Sequence, residues 1–343
     1  MRNKLFLGMV AMIGGVTFAG PVAAIVIRDG TSPSDYINLA NTNPYYNSVG
    51  QIYGTDSSGG FAASGVLIAQ NWVLTAAHVT SGALSLSFYQ DKGGSWDSFS
   101  TRPSVAADNW YSYSKWSGNL SSGYDIGLVH LSTNISCGAT LSSGGGCAAQ
   151  RYTGTSELGR VGTAVGFGMT GTGSSGATTF FDGLKRAGEN MVDSVYKTPG
   201  GSNRILLADF DSGLSSDNSY GSKSPLAHES LIAPGDSGGG LFEDFNGQSL
   251  LTGITSFGWG RLDGNSNSDY GDVGGWTRVT YFNSWIDSVI NQTALTVSGG
   301  GTGAALGLQA TAVAVPEPET YAMLLAGLGL LGFAAHRRKQ KAA

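Results

Sequence analysis

Gly235-Asp236-Ser237-Gly238-Gly239 is the stretch on which the reading of this chain turns. One serine sits among glycines, an aspartate precedes it, and Gly240 and the apolar pair Leu241-Phe242 follow. A serine hydroxyl is a weak nucleophile until a base takes its proton and nearby donors hold the oxyanion that forms. Glycines permit a tight turn that aims backbone N–H groups inward and lets a carbonyl approach closely. The chain also holds 54 glycines, so a string of this kind can arise without purpose. The decision rests on whether a histidine and a carboxylate occur upstream in suitable settings.

Both do. Thr75-Ala76-Ala77-His78 follows the apolar run Trp72-Val73-Leu74, and Tyr124-Asp125-Ile126-Gly127-Leu128-Val129 supplies the carboxylate. In the order His, Asp, Ser the chain resembles the chymotrypsin/trypsin-like serine endopeptidases. The strings that carry the resemblance are Ser64-Gly65-Val66-Leu67-Ile68, Thr75-Ala76-Ala77-His78, Asp125-Ile126-Gly127-Leu128, Gly235-Asp236-Ser237-Gly238-Gly239, Ser256-Phe257-Gly258 and Trp276-Thr277-Arg278-Val279. The resemblance runs from about Ile25 to about Ile290, and the shared order of the strings is far more specific than any one of them.

The resemblance implies an all-β fold of two packed antiparallel six-stranded barrels with a C-terminal helix, the site lying between the barrels. It implies His78 as general base, Asp125 as the group orienting it, Ser237 as nucleophile, and the N–H groups of Gly235 and Ser237 as the oxyanion hole. Ser256 and Asp236 would support these residues, Ser256 by bonding Asp125. The substrate would be a protein or peptide, with no cofactor. Leu231 would form the floor of the primary pocket, and Gly258 and Gly274 its open walls. Leu231 stands where an aspartate would select arginine or lysine, so the pocket is expected to favour an uncharged apolar side chain. Val79 and Ala233 depart from the family, which usually carries disulfide cysteines there.

Pattern alone supports a β protein. Phe61 to Ala69 and Trp72 to Ala76 read as a hairpin turning at Gln70-Asn71. Leu84 to Phe88 alternates with period two, and Ile126 to Leu131, Arg160 to Gly168, Arg204 to Ala208, Leu250 to Phe257 and Trp276 to Thr280 read as further strands. Many short strands between Gly/Ser turns indicate a sandwich or barrel. Residues 36 to 53 read as mixed and polar, with a turn at Asn43-Pro44. One helix is expected after Thr280 as cap, with Phe282, Trp285, Ile286, Val289 and Ile290 packed on the second barrel.

Composition narrows the function. A net charge of −5 and a pI near 5.3 leave no basic stripe for phosphates, so nucleic acid is excluded as a partner. His130, His228 and His336 join neither an HExxH-type spacing nor a cysteine cluster, so no metal site is expected. His130 reads as a packed surface residue and His228 as a residue near the pocket. Asp209 and Asp211 read as turn carboxylates, with calcium binding as the alternative. Cys137 and Cys147 bracket a Gly/Ser-rich loop and read either as a disulfide, if the chain is exported, or as two thiols.

Residues 1–24 have the form of a signal peptide: Arg2 and Lys4, an apolar run to Ala19, and the small residues Val22-Ala23-Ala24. Cleavage by signal peptidase after Ala24 would free Ile25-Val26. The family resemblance implies that such a terminus inserts beside Asp236. Residues 25–291 form the expected protease domain and 292–314 a Gly/Ala/Thr-rich linker. In 315–343 a Val315-Pro316-Glu317-Pro318-Glu319 motif, an apolar run from Tyr321 to Ala335 and a basic end resemble the PEP-CTERM sorting signal of Gram-negative bacteria. That implies export through the inner membrane, transient membrane contact, processing by an exosortase-type enzyme, and a cell-surface or extracellular destination. A plain membrane anchor is the other reading of this tail. The competing reading for the whole chain is a catalytically silent homologue serving as an extracellular matrix or binding protein.

Overall fold

The computed structural model describes residues 25–90, 104–135, 147–178 and 181–298. The signal segment 1–24, Cys137, the linker beyond Ser298 and the tail 315–343 lie outside them. The chain opens with β1 (Ile25–Ile27) and α1 (Pro33–Thr42), followed by β2 (Val49–Asp56), β3 (Gly59–Ala69), β4 (Trp72–Thr75) and the short α2 (Ala77–Thr80). Then come β5 (Ser85–Gln90), β6 (Ser104–Ser112) and β7 (Gly127–Leu131). The second half holds β8 (Val161–Gly166), β9 (Thr170–Thr172), β10 (Gly176–Ala177), β11 (Arg186–Met191), β12 (Ser194–Lys197) and β13 (Asn203–Asp209). It continues through β14 (Ser230–Leu231), β15 (Gly240–Phe245), β16 (Gln248–Trp259) and β17 (Val273–Arg278), and ends in α3 (Asn283–Ser298).

Six strands close a barrel in the order β2-β3-β4-β7-β6-β5. The β3–β4 hairpin pairs Val66 with Leu74 and Leu67 with Val73, turning at Gln70-Asn71 as the sequence predicts. In β5 Leu86, Phe88 and Gln90 are buried while Ser85, Ser87 and Tyr89 are less so, the alternation a half-buried strand requires. The Phe88 ring lies directly against Gly50, so any side chain at residue 50 would collide with it.

The second sheet is antiparallel, seven-stranded and ordered β11-β8-β15-β16-β17-β13-β12. It is a half-barrel, where the resemblance implied a second closed six-stranded one. A small sheet, β10-β9-β1-β14, seats the N-terminal strand, with β1 parallel to β9 and antiparallel to β14. One core cluster fills the barrel through Ile52, Val66, Leu74, Phe88 and Leu128 and reaches Phe242, Leu251 and Ile254 of the second sheet. Another holds Leu206, Leu241 and Trp276 together with Ile25 and Val26.

Three local expectations change. Residues 33–42 are a helix, started by Ser32 and by Pro33 in the first turn, where a missing N–H costs nothing. Its Tyr36 and Ala40 are buried, too sparse an apolar stripe to stand out by period. Thr280 does not cap the last helix: Val279–Phe282 form a 3₁₀ turn, and α3 starts at Asn283. Nor do the helix's apolar residues pack on the second sheet alone. Phe282 and Ile286 join the barrel's cluster, and Tyr113 of the barrel takes Phe282 and Trp285 edge-on.

Candidate active site

His78 lies on α2, one turn beyond the end of β4, and Asp125 lies just before β7. Because β4 pairs with β7, Thr75 opposite Gly127, the two residues are delivered side by side. Asp125 is fully buried, and His78 remains about a third exposed. The Asp125 carboxylate accepts the His78 main-chain N–H at Oδ1 (2.9 Å) and meets His78 Nδ1 at Oδ2 (2.7 Å). A carboxylate oxygen accepts, so Nδ1 is the donor in this contact, and in the neutral imidazole that tautomer leaves the Nε2 lone pair free. Ser256 donates its hydroxyl to Asp125 Oδ2 at 2.6 Å, the support the resemblance assigned to it. Thr277, on the neighbouring strand β17, donates to the Asp125 carbonyl at 2.7 Å. Nothing in the sequence around Thr277 signals that contact, although the residue lies in one of the strings that carry the resemblance.

Ser237 lies in the loop between β14 and β15. The next residue, Gly238, has φ +83° and abuts Thr75 Oγ1 and the Ser64 carbonyl so closely that no side chain fits. Thr75 is three residues before His78, so the serine loop is pressed against β4, the strand that leads into the helix carrying the histidine. No hydrogen bond joins Ser237 Oγ to His78 in this structure, a bond that commonly tightens only with substrate bound.

The peptide planes around Ser237 are fixed from behind. The Pro234 carbonyl accepts Met169 N–H (2.7 Å) and the Asp236 carbonyl accepts Gly239 N–H (2.8 Å). In a trans peptide the N–H points opposite the C=O, so these two bonds turn the Gly235 and Ser237 N–H groups outward. Among the described residues neither N–H is spent on a protein acceptor. Gly235 adopts φ +96°, a conformation that favours glycine.

Asp236 is buried beneath this loop. Its carboxylate accepts Gly168 N–H (2.7 Å) and Ala233 N–H (2.8 Å). Burial pushes it up to about 7, against the pull of those amides and of Arg186. Gly166 and Gly168 have no room for a side chain because the Asp236 carboxylate occupies that space.

Beside Ser237 opens a cavity of about 250 Å³, walled by Ile232, Ala233, Pro234, Phe257, Gly258 and Ser268 among others. Gly258 faces open space, as expected of a pocket wall. Gly274 does not: a side chain there would meet the Trp276 indole at 2.7 Å and Leu231 at 3.1 Å. Its missing side chain makes room for packing and does not hold the mouth open. Leu231 is likewise displaced from the lining; it is buried in β14, paired with Val26, and Ile232 takes the wall. Asp272 stands nearby but is spent on the Ser268 N–H (2.8 Å), and burial pushes it up to about 7.

The remaining candidates separate from this site. His130 bonds Asp108 and Asn71 and packs on Trp72. His228 pairs with Glu189 at 3.3 Å and meets Tyr36 edge-on, away from the cavity lining. Asp209 and Asp211 are not exposed turn carboxylates. Asp209 closes β13, fully buried, and takes the Ser219 and Tyr220 N–H groups on Oδ2. Burial raises Asp209, and burial with the Asp209 charge raises Asp193 and Asp211 to about 7. Among the described residues no set of three or more His, Cys, Asp or Glu is arranged to hold a metal ion. Cys147 is disulfide-bonded, and the chain's other cysteine, Cys137, lies outside the described residues.

Residues 41–286 match the family model Trypsin, and residues 314–339 match the model of the PEP-CTERM protein-sorting motif. No curated protein matches the sequence. Among solved structures the chain is similar to HL collagenase, at 18% identity and a TM-score of 0.51, over 73% of this chain and 95% of that one. It is similar also to neuropsin, a serine protease expressed in the limbic system of mouse brain. That match has 19% identity and a TM-score of 0.51, over 73% of this chain and 96% of that one.

Proposed function

The chain belongs to the trypsin family, and from that premise we propose that it is an exported serine endopeptidase acting through His78, Asp125 and Ser237. The observation that carries the reading is the buried Asp125 carboxylate holding both His78 N–H groups, with the Ser237 loop packed against the same strand. Nε2 of His78 removes the Ser237 proton as Oγ attacks the substrate carbonyl carbon. The resulting oxyanion sits on the Gly235 and Ser237 N–H groups. His78 then passes the proton to the leaving nitrogen as the C–N bond breaks, and water hydrolyses the acyl-enzyme by the reverse sequence. Labelling of the secreted protein by a fluorophosphonate, mapped to Ser237 by peptide mass, tests the assignment. An unlabelled protein with a folded domain would remove it.

The cavity supports an uncharged, apolar side chain before the scissile bond. Its lining combines Leu120, Ile232, Ala233, Pro234 and Phe257 with serine and threonine hydroxyls and includes no charged side chain, and Asp272 behind Ser268 is hydrogen-bonded and raised by burial to about 7. A peptide-library profile is expected to show cleavage after apolar residues. Cleavage chiefly after arginine or lysine would overturn this specificity and leave the mechanism standing.

Export follows from the sorting motif at 314–339, with exosortase-type processing of the tail. At the other end, signal removal after Ala24 would place a free ammonium at Ile25. Ile25 is fully buried in β1 opposite Thr170, two residues beyond the Gly168 that binds Asp236. A buried carboxylate without a cation is costly, and that ammonium would bring Asp236 back into its ionised form. Sequencing of active, secreted protein is expected to read Ile-Val-Ile. Active protein beginning well before or after residue 25 would exclude this activation route.

A further inference from the structure

We infer that Ser64, which no role assigned so far includes, is a positioning residue that holds the oxyanion loop in register with β4, the strand leading into the histidine's helix. The inference rests on the reading of Ser237 as nucleophile. Ser64 lies in β3 of the closed barrel and is fully buried. Each of its polar groups is engaged at the site. Its N–H donates to the Ser237 carbonyl (2.8 Å), and its carbonyl accepts the Thr75 hydroxyl (2.9 Å). Its own hydroxyl donates to the Gly235 carbonyl (3.0 Å) and accepts the Phe167 N–H (3.1 Å). These roles are forced, because a carbonyl only accepts and an amide only donates.

The consequence concerns the peptide between Gly235 and Asp236. The planes on either side of it carry the two oxyanion-binding N–H groups, and Met169 and Gly239 hold their carbonyls from within the second half of the chain. The middle plane is held at its carbonyl by Ser64 Oγ, from the barrel that carries His78 and Asp125. The Ser64 N–H adds a second bond across the same boundary, to the nucleophile's own carbonyl. Removing the hydroxyl takes the Ser64 bond from the part-buried Gly235 carbonyl and from the Phe167 N–H, and lets the loop rotate against the barrel. The ground-state substrate, held in the cavity, feels little of this, whereas the tetrahedral oxyanion depends on donor placement within about half an ångström.

Ser64→Ala is expected to lower kcat per titrated active site roughly tenfold to a hundredfold, with KM within about threefold of wild type. The affinity for a peptide boronate, whose tetrahedral adduct places an oxygen in the oxyanion hole, should fall by the same factor as kcat. A residue of merely structural importance would reduce the number of titratable sites and the melting temperature, leaving kcat per site and boronate affinity unchanged; that result would overturn the inference. Should Ser64→Ala fail to fold, Ser64→Cys carries the same test, since it keeps the volume and offers only a weak donor. A folded wild type that neither hydrolyses peptides nor reacts with the fluorophosphonate would instead defeat the protease reading, and this assignment with it.

Discussion

On the proposed mechanism, Ser237→Ala is expected to lower turnover by roughly four to six orders of magnitude and to leave the fold unchanged. The first half of the expectation follows from chemistry. The substitution removes the atom that must form the bond to the acyl carbon, and nothing else at the loop can replace it. The oxyanion donors and the cavity are untouched, so a residue of catalysis over bulk water survives. The second half follows from the bonds Ser237 makes. Its ties to the structure run through the main chain, its carbonyl accepting the Ser64 N–H and Gly238 N–H reaching the Thr255 carbonyl. Among the described residues its hydroxyl holds nothing in place. Kinetics and a thermal melt on one preparation check both halves. Hydrolysis near the wild-type rate would exclude Ser237 as nucleophile, whereas loss of activity together with the melt would show a structural role for the hydroxyl.

Much of this arrangement is legible in the sequence, for an identifiable reason. A nucleophile loop needs glycine where a positive φ or a close approach leaves no alternative, and Gly235 and Gly238 write that need into the residue string. Gly166 and Gly168 do the same for the Asp236 carboxylate. The strand hairpin at Gln70-Asn71 is legible because two polar residues interrupt two apolar runs, and β5 is legible because alternating burial imposes a period of two. What was hidden depends on packing between distant segments. Gly274 reads as a pocket wall until Trp276 is seen filling the space behind it, and Leu231 reads as a floor until β14 carries it into pairing with β1. Helix α1 is hidden because only two of its residues are buried, and the open edge of the second sheet has no local signature at all. Asp209 and Asp211 look like turn residues because flanking Phe210 says nothing of the other carboxylates folded against them. Ser64 is hidden in a strand string, since a serine's partners across 171 residues cannot be read from its neighbours.

Asp125→Asn is expected to lower kcat about ten thousand-fold while the domain still melts near the wild-type temperature. The carboxylate accepts three hydrogen bonds: the His78 main-chain N–H on one oxygen, and the His78 ring and the Ser256 hydroxyl on the other. An asparagine must present its NH₂ to one of those two sets. Facing it towards the main-chain N–H would oppose two donors, and that N–H has no way to become an acceptor. The ring and the hydroxyl can both adapt, the ring by moving its proton from Nδ1 to Nε2 and Ser256 by rotating to accept. The amide therefore turns its NH₂ towards them, and the cost of folding stays small because the amide's own donors and acceptor are all met. The proton now sits on the nitrogen that faces Ser237, and a protonated nitrogen cannot act as base. Ser256→Ala separates this account from simple loss of a contact. It removes one bond to the same oxygen but leaves the tautomer intact, so its activity should fall only about tenfold. Equal losses in the two variants, or an Asp125→Asn enzyme within tenfold of wild type, would show that the histidine is not set by this carboxylate.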